Sequence, residues 1–294
     1  MKVAFVTCSE FRDLTADDRL AIPPLRQRGI EVVPAVWDSR DVDWNQFAAV
    51  VLRSCWDYHQ RAGQFLEWIG KLEGAQVRLC NGYKTVRWNL EKTYLTQLAA
   101  RGARIPGTVW LDRGSDLSIE RLFEENGWTE AVVKPTISMS AYQTWILTPD
   151  MIRSAASRIR ELLKTSGVMI QKFIPEVRSQ GEWSFVFFDR RLSHAVLKRP
   201  RPGDFRVQRS AGGYIDDEAT VPRSLVRQAE TVLELVDTPL LYARVDGIDV
   251  EGELLLMELE LIDPALFLGQ APMASLRLGD SIVDMISSRL GTER

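Results

Sequence analysis

The segment LLLMELELIDP at residues 254–264 decides how the rest of the chain is interpreted. Its apolar first half predicts a buried strand, and alternate residues of a strand share a face, so Glu258 and Glu260 project together. Asp246 stands twelve residues before Glu258, and from a preceding antiparallel strand it can join them. Three converging carboxylates favour Mg²⁺, which prefers oxygen ligands. The alternative for Glu-x-Glu alone is a solvated face on an edge strand.

Composition limits the class of protein. The 294 residues are 45% hydrophobic and 26% charged, as in ordinary globular proteins, and a chain of this length is expected to form two or three domains. The net charge of -3, with both signs interspersed, gives no footprint for nucleic acid, and no apolar run reaches membrane-spanning length. Three cysteines without metal or redox spacing favour a reducing cytoplasm. With only His59 and His194, a histidine-rich metal site is excluded.

The order of predicted elements divides the chain into three parts. Strands alternating with helices over residues 1–87 predict a parallel, Rossmann-like sheet, although no Gly-x-Gly-x-x-Gly follows the first strand. Residues 88–174 are predicted to form a smaller α+β unit, and residues 175–294 a β-rich unit. The fold class is therefore α/β followed by α+β. Single helices are predicted over 16–28, 88–101 and 281–290.

Lys134 ends a predicted strand beside a loop of small polar residues, 136–144. A lysine in such a place can present its charge to phosphate oxygens. Ser138 and Ser140 in this loop offer backbone N–H groups and hydroxyls to the same phosphates. A plain surface lysine is the alternative, and Lys92 upstream is open to the same two interpretations.

The connector at residues 171–184 leaves one apolar strand and leads into another. An extended backbone there can offer N–H and C=O groups to the edge of a flat heteroaromatic ring. Phe173 and Ile174 would supply apolar contacts, and Glu182 would accept hydrogen bonds from ribose hydroxyls. A simple interdomain linker is the alternative.

Two loops carry candidate substrate ligands. The loop at 198–213 concentrates cations among prolines and glycines, and Arg199 and Arg206 are predicted to clamp anions. The segment Arg53-Ser54-Cys55-Trp56-Asp57 follows a buried strand, at the strand end where open α/β sheets bind ligands. Its arginine is predicted to hold a carboxylate and its aspartate an amine. A structural Arg–Asp pair with a packed tryptophan is the alternative.

Taken in order, these motifs resemble the ATP-grasp superfamily, in particular its glutathione synthetase-like and D-alanine–D-alanine ligase-like branch. The motifs that run collinearly with the family are Asn89-x-x-Lys92, Lys134, Gln171-x-Phe173-Ile174, Gly181-Glu182, Lys198, Gly203-Asp204-Phe205-Arg206, Gly212-Gly213, Arg244-x-Asp246 and Glu258-x-Glu260-x-x-Asp263-Pro264. The resemblance implies a Rossmann-like N-terminal domain followed by a two-lobed ATP-grasp fold that binds ATP and Mg²⁺.

The resemblance also implies a role for each motif residue. The residues expected at the ATP phosphates are Lys92, Lys134, Lys198, Ser138 and Ser140. The adenine is expected at Gln171, Phe173 and Ile174 of the connector, and the ribose at Glu182. Mg²⁺ is expected at Asp246, Glu258 and Glu260, and the reacting groups at Arg206 and Arg244. The residues expected on the substrate side are Arg53, Trp56, Asp57, Arg199, Gly212 and Gly213.

Two positions depart from the family's pattern. The third metal position is commonly Asn, and Glu260 in its place adds negative charge that is expected to tighten Mg²⁺ binding. The loop over the phosphates is commonly rich in glycine, whereas residues 136–144 contain none. A stiffer lid is therefore predicted.

A narrower resemblance rests on Trp56-Asp57-Tyr58, residues 88–92, residues 193–208 and residues 257–264. These stretches are similar to a bacterial subgroup that includes the cyclo-ligase closing the ring of the antibiotic D-cycloserine. It implies an ATP-dependent carbon–nitrogen ligase that activates a carboxylate of a small amino-acid-like substrate as an acyl phosphate. A homodimer is expected by analogy. The alternatives are a ligase that modifies a peptide or protein and an inactive nucleotide-binding module.

Overall fold

The computed structural model describes residues 1–115 and 118–287, which form three sheets. The first sheet is parallel, as its alternation of strands and helices predicts. Its elements are β1 (Lys2–Thr7), α1 (Ala16–Arg19), α2 (Ile22–Gln27), β2 (Glu31–Val36), β3 (Ala49–Ser54), α3 (Ala62–Gly74) and α4 (Tyr83–Asn89). The order is β2-β1-β3. Val3 and Phe5 enter one hydrophobic core and Ala4 and Val6 another, so both faces of β1 are covered.

The second sheet is antiparallel and lies in the middle of the chain. Its elements are α5 (Tyr94–Ala100), β4 (Thr108–Leu111), α6 (Ile119–Asn126), β5 (Ala131–Pro135), β6 (Trp145–Leu147), α7 (Ile152–Thr165) and β7 (Val168–Lys172). The order is β4-β7-β5-β6. Helices α6 and α7 pack their apolar faces on this sheet and share its core. The loop between β5 and β6 is the one predicted to cover phosphates.

The third sheet is antiparallel and carries the carboxylate motif. Its elements are α8 (Glu176–Ser179), β8 (Glu182–Phe188), β9 (Arg191–Arg199), β10 (Tyr214–Asp216), α9 (Arg223–Glu234), β11 (Tyr242–Val250), β12 (Glu253–Glu260) and α10 (Ala274–Ser287). The order is β10-β9-β8-β11-β12. The two strands that bear the predicted metal ligands, β11 and β12, are therefore direct neighbours.

Two predicted helices are each divided in two. The helix predicted over 16–28 becomes α1 and α2, since Pro23 and Pro24 begin a new helix and have no N–H to continue the first. The helix predicted over 88–101 becomes α4 and α5. The Lys92 amide donates to the Thr136 carbonyl at 2.9 Å instead of to its own helix, and this tertiary bond marks the break.

The last helix, α10, shares one hydrophobic core with residues of the first sheet and of the third. Its buried residues Leu278 and Ile282 lie in the same core as Val3 and Phe5. The helix begins seven residues before its predicted start at 281, and its predicted end at 290 lies outside the described residues. Each sheet falls within one of the predicted ranges 1–87, 88–174 and 175–294, and one hydrophobic core joins residues of the first range to residues of the third. That division of the chain stays a prediction.

Among the described residues the longest helices are α7 and α10, with 14 residues each. Within residues 1–115 and 118–287, no helix combines the length and apolar character needed to cross a membrane.

Candidate active site

Four charged side chains meet where β11 pairs with β12. The antiparallel register sets Arg244 opposite Glu260 and Asp246 opposite Glu258. Residues two apart on each strand share a face, so all four project to the same side of the sheet. Asp246 is 1% exposed, which places this row of charges inside the molecule.

Each predicted metal ligand is paired with a cation. Arg244 Nη2 lies 2.9 Å from Asp246 Oδ2 and 3.0 Å from Glu260 Oε2. Lys92 Nζ lies 2.9 Å from Glu258 Oε1. Lys198 Nζ lies 3.4 Å from Asp246 Oδ1 and 2.5 Å from Glu182 Oε1. The Ser184 hydroxyl also donates to Asp246. The like charges that Glu-x-Glu brings together are therefore separated by cations of the protein itself.

The carboxylates of this row have divergent pKa values. Burial alone would raise the pKa of Asp246, but the charges of Arg244 and Lys198 outweigh burial and hold it at about 2. Burial is also the largest influence on the pKa of Glu258 and would raise it, but the charge of Lys92 acts in the opposite direction and the pKa is lowered. For Glu260 burial prevails over Arg244 and its pKa is raised. Asp246 is thus the most firmly ionised member of the row.

The carboxylates of this row are ligands of the type that an oxygen-preferring cation binds, but they are not arranged around a common point. Among the described residues, no three acidic, cysteine or histidine side chains converge closely enough to make a ready metal site. Glu260 Oε1, however, is buried and has no hydrogen-bond partner within the described chain. A buried carboxylate oxygen without a partner is the kind of donor that Mg²⁺ takes. These carboxylates would suit Mg²⁺ if the arginine and lysines that now pair with them moved away.

A cleft of about 810 Å³, counted with the open solvent at its mouth, lies between the second sheet and the third. The predicted ATP residues that line it are Lys92, Lys134, Ser138, Ser140, Gln171, Phe173, Ile174 and Glu182. Arg206 and Glu258 line it as well, whereas Lys198 does not. Residues from both sheets therefore meet around one space.

Lys92 and Lys134 occupy the end of the cleft near Glu258. Lys134 Nζ donates to Gln171 Oε1 at 3.0 Å, and Lys92 Nζ donates to the Ser138 carbonyl at 2.6 Å. Burial, with the charge of Lys92 as the second cause, lowers the pKa of Lys134 to about 8. This end of the cleft holds excess positive charge that an anion would relieve.

The lid loop between β5 and β6 takes conformations usual for glycine. Ser140, Ala141 and Gln143 have φ values of 52°, 58° and 49°, in the left-handed region. A non-glycine residue there is disfavoured by roughly 1–2 kcal/mol. The absence of glycine predicts a stiffer lid, and that stiffness stays a prediction. The backbone of the loop is strained at these three residues.

Two backbone N–H groups of the connector donate within the protein. The Phe173 amide donates to the Glu130 carbonyl at 3.1 Å, and the Lys172 amide to the Gly107 carbonyl at 2.7 Å. These two N–H groups are not available to a heteroaromatic ring. The Phe173 ring lies 5.9 Å from the Phe205 ring between centroids, and both residues line the cleft.

Arg199 and Arg206, the two arginines of the basic loop that are predicted to clamp anions, lie in different environments. Arg206 lines the cleft, held by Asp204 through bonds of 3.1 and 2.8 Å. Arg199 Nε instead donates to Asp216 at 2.7 Å, away from the cleft lining. Gly213 lies against the loop's own backbone, where a Cβ would come within 2.1 Å of the Val207 carbonyl. Gly212, with φ of 88°, shapes the same turn, so neither glycine faces the cleft.

The segment after β3 is also used differently from the prediction. Arg53 is fully buried and donates to Asp18 Oδ1 at 3.0 and 2.9 Å and to the Pro264 carbonyl at 2.8 Å, so it is not open to a substrate carboxylate. Asp57 accepts from Trp37 Nε1 at 2.8 Å and pairs with Arg61. Its carboxylate is therefore held by the protein. The structural alternative holds in another form, because Arg53 pairs with Asp18 and Asp57 with Arg61 instead of with each other.

The Trp56 indole donates to the Asp263 carbonyl at 3.3 Å and links the first sheet to the end of the carboxylate motif.

Two further side chains near the site belong to none of the predicted motifs. Ser184 supports Asp246, and its place two residues after Glu182 on one strand is a signal that sequence periodicity offers. His59 contacts the lid loop, and nothing in the sequence indicates it.

Comparisons with known proteins match the whole chain. Residues 3–81 match the family model of the D-cycloserine synthetase DcsG N-terminal domain. The cycloserine biosynthesis protein DcsG of Streptomyces lavendulae is 31% identical over 284 residues, which cover 90% of this chain and 93% of that protein. The crystal structure of D-cycloserine synthetase DcsG has a TM-score of 0.85 and 29% identity, over 97% of this chain and all of that one.

More distant structures share the fold. The D-alanine–D-alanine ligase of Bacillus anthracis complexed with ATP has a TM-score of 0.70 at 17% identity, over the full length of both chains. These matches confirm the predicted fold class, a Rossmann-like N-terminal domain followed by an ATP-grasp fold.

Proposed function

Because the chain belongs to the family of the cycloserine biosynthesis protein DcsG, we propose that it is an ATP- and Mg²⁺-dependent carbon–nitrogen ligase acting on a small amino-acid-like substrate. The nitrogen belongs to the same molecule, so the product is a ring, as in D-cycloserine. The observation that carries this proposal is the cleft that joins Lys92 and Lys134 to Glu258. A cytoplasmic location and a homodimeric assembly remain predictions.

Asp246, Glu258 and Glu260 are the residues that would hold Mg²⁺. Mg²⁺ held there would stabilise the negative charge that develops on the phosphates. The ion pair of Lys92 with Glu258 supports this assignment, because it joins a phosphate ligand to a metal ligand. Nucleotide and metal binding would exchange that pair, freeing the lysine for phosphate and the carboxylate for the metal.

The remaining residues position the nucleotide and the reacting groups. Lys134, Lys198, Ser138 and Ser140 would bind phosphates and Glu182 the ribose. Gln171, Phe173 and Ile174 would form the adenine pocket, by contact more than by backbone N–H groups. Arg206, at the cleft wall, would neutralise the transferred phosphoryl group.

The reaction has two steps. The substrate carboxylate attacks the γ-phosphorus of ATP, the bond from that phosphorus to the β,γ-bridging oxygen breaks with its electron pair going to ADP, and an acyl phosphate forms. The nitrogen then attacks the acyl carbon, the C–N bond forms, and inorganic phosphate leaves with the electron pair of the C–O bond. Arg244 would stabilise the oxyanion of the tetrahedral intermediate. Closure of the lid loop would keep water from the anhydride.

The test is ADP release with Mg²⁺ and ATP across a panel of free amino acids and derivatives, including O-ureido-D-serine and D-alanine. Strong stimulation by one compound, with a cyclic product in mass spectrometry, is the expected result. Stimulation by peptides alone would overturn the proposal in favour of a peptide-modifying ligase. Silence across the panel, with ATP still bound, would point to a nucleotide-binding module.

A further inference from the structure

His59 stands at the point where the first sheet faces the rest of the site. It lies in a short 3₁₀ helix, Tyr58–Gln60, that follows β3, at the strand end where open α/β sheets bind ligands. Its neighbours are held inside the protein: Asp57 by Trp37 and Arg61, and Tyr58 by stacking on Phe65 at 4.9 Å. His59 is the side chain of this segment that turns to the lid loop.

Both ring nitrogens of His59 are buried, and within the described residues neither makes a hydrogen bond of ordinary length and angle. Buried polar atoms are nearly always paired, because an unpaired one loses its bonds to water without replacement. A neutral imidazole has one donor and one acceptor to offer. A ligand with a matching N–H or C=O group would complete this site.

The ring of His59 contacts the lid loop at the edge of the cleft. It packs edge-on against Tyr142 of that loop, with 5.0 Å between centroids. The same loop accepts a hydrogen bond from the Lys92 ammonium at the Ser138 carbonyl. The loop thus links His59 to the lysine proposed to bind phosphate, and the charge of that lysine acts on the imidazole.

The charges that face His59 keep its ring neutral. Burial is the largest influence and lowers the pKa of His59, and the charge of Lys92 lowers it further. The Trp56 backbone and Asp57 act in the opposite direction and are outweighed. Burial raises the pKa of the neighbouring Tyr58, so its ring brings no charge to the site. An imidazole that is neutral at pH 7 can accept a proton.

We propose that His59 binds the nitrogen nucleophile of the substrate and accepts its proton as the C–N bond forms. The inference rests on the proposed ligase function and adds to it the base for the second step. The nitrogen lone pair forms the bond to the acyl carbon, and phosphate leaves with the C–O electron pair. The N–H proton passes to the free ring nitrogen of His59 and from the imidazolium to the departing phosphate or to solvent.

The test separates the two steps in the full chain with Mg²⁺, ATP and the most stimulating compound of the panel. Hydroxylamine traps the acyl phosphate as a hydroxamate and replaces the natural nucleophile. In His59→Gln we expect hydroxamate formation within about twofold of wild type and a loss of ring product of roughly 10²–10⁴-fold. The wild-type product rate should rise with pH through an apparent pKa below 6.5, and the variant should lack that limb.

The matched control is His194→Gln, at the only other histidine. Both of its ring nitrogens are bound, at 3.0 Å to the Leu266 carbonyl and 3.0 Å to the Ser193 hydroxyl. It should lower thermal stability and keep the ratio of ring product to hydroxamate. Equal loss of both products in His59→Gln, or no loss of either, would overturn the role of His59. A wild-type chain that forms no hydroxamate would instead overturn the proposed function.

Discussion

Lys92 Nζ lies 2.9 Å from Glu258 Oε1, so a proposed phosphate ligand and a proposed metal ligand neutralise each other across the cleft. The two residues come from different parts of the chain, the break between α4 and α5 and the end of β12. Their pairing lets each charge remain in a mostly buried site when no ligand compensates it. Binding of a metal–nucleotide complex then replaces one set of charge pairs by another.

Glu258→Gln removes a metal ligand and the partner of Lys92, while it keeps the shape of the side chain. Turnover should fall at least about 100-fold, because the metal would lose a charged ligand. Substrate-stimulated ADP release measures the loss, and thermal unfolding checks that the fold is intact. Glu253→Gln at the exposed start of the same strand is the control. Undiminished turnover in Glu258→Gln would remove the metal assignment.

The affinity for ATP should depend on pH through Lys134. The pKa of Lys134 is lowered to about 8 in the free protein, so the ammonium that binds phosphate is present below pH 8 and is lost above it. The dissociation constant for ATP should therefore rise by up to roughly tenfold per pH unit above 8. Calorimetric titration between pH 7 and 9.5 measures it. Lys134→Arg, which stays charged, should show a flat profile over that range, and a flat wild-type profile would contradict this account.

Arg53 should matter for stability and not for substrate recognition. Arg53→Met leaves Asp18 buried without its partner, and breaking a buried pair costs about 3–5 kcal/mol of unfolding free energy. Replacing both residues, Arg53→Met with Asp18→Leu, should recover part of that loss. Urea denaturation measures both. A raised KM for the amino-acid substrate with unchanged stability would restore Arg53 as a substrate ligand.

Ala141→Gly should relax the lid loop. Ala141 has φ of 58°, which costs alanine roughly 1–2 kcal/mol and costs glycine little. The unfolding free energy should stay level or rise by up to about 1 kcal/mol. Ala100→Gly, at the end of α5, should lower it by up to about 1 kcal/mol. A destabilised Ala141→Gly would mean that the loop does not hold this conformation.

The sequence alone predicts features that neighbouring residues determine, and it misses features that depend on contacts between distant parts of the chain. Glu258 and Glu260 were placed correctly on one face because strand periodicity is a property of neighbouring residues. Arg53 was misassigned because its partner, Asp18, lies 35 residues away and no local pattern announces it. The helix predicted over 88–101 failed for a similar reason, since a bond from Lys92 to Thr136 interrupts it. His59 carries no motif, and its unpaired nitrogens are visible only in three dimensions.

The packing of α10 joins parts of the chain that are far apart in sequence. Val3 and Phe5 share one hydrophobic core with Leu278 and Ile282. Contacts this distant in sequence slow folding and lengthen exposure to aggregation. A chain without α10 would leave apolar side chains of this core uncovered and would be prone to bind chaperones.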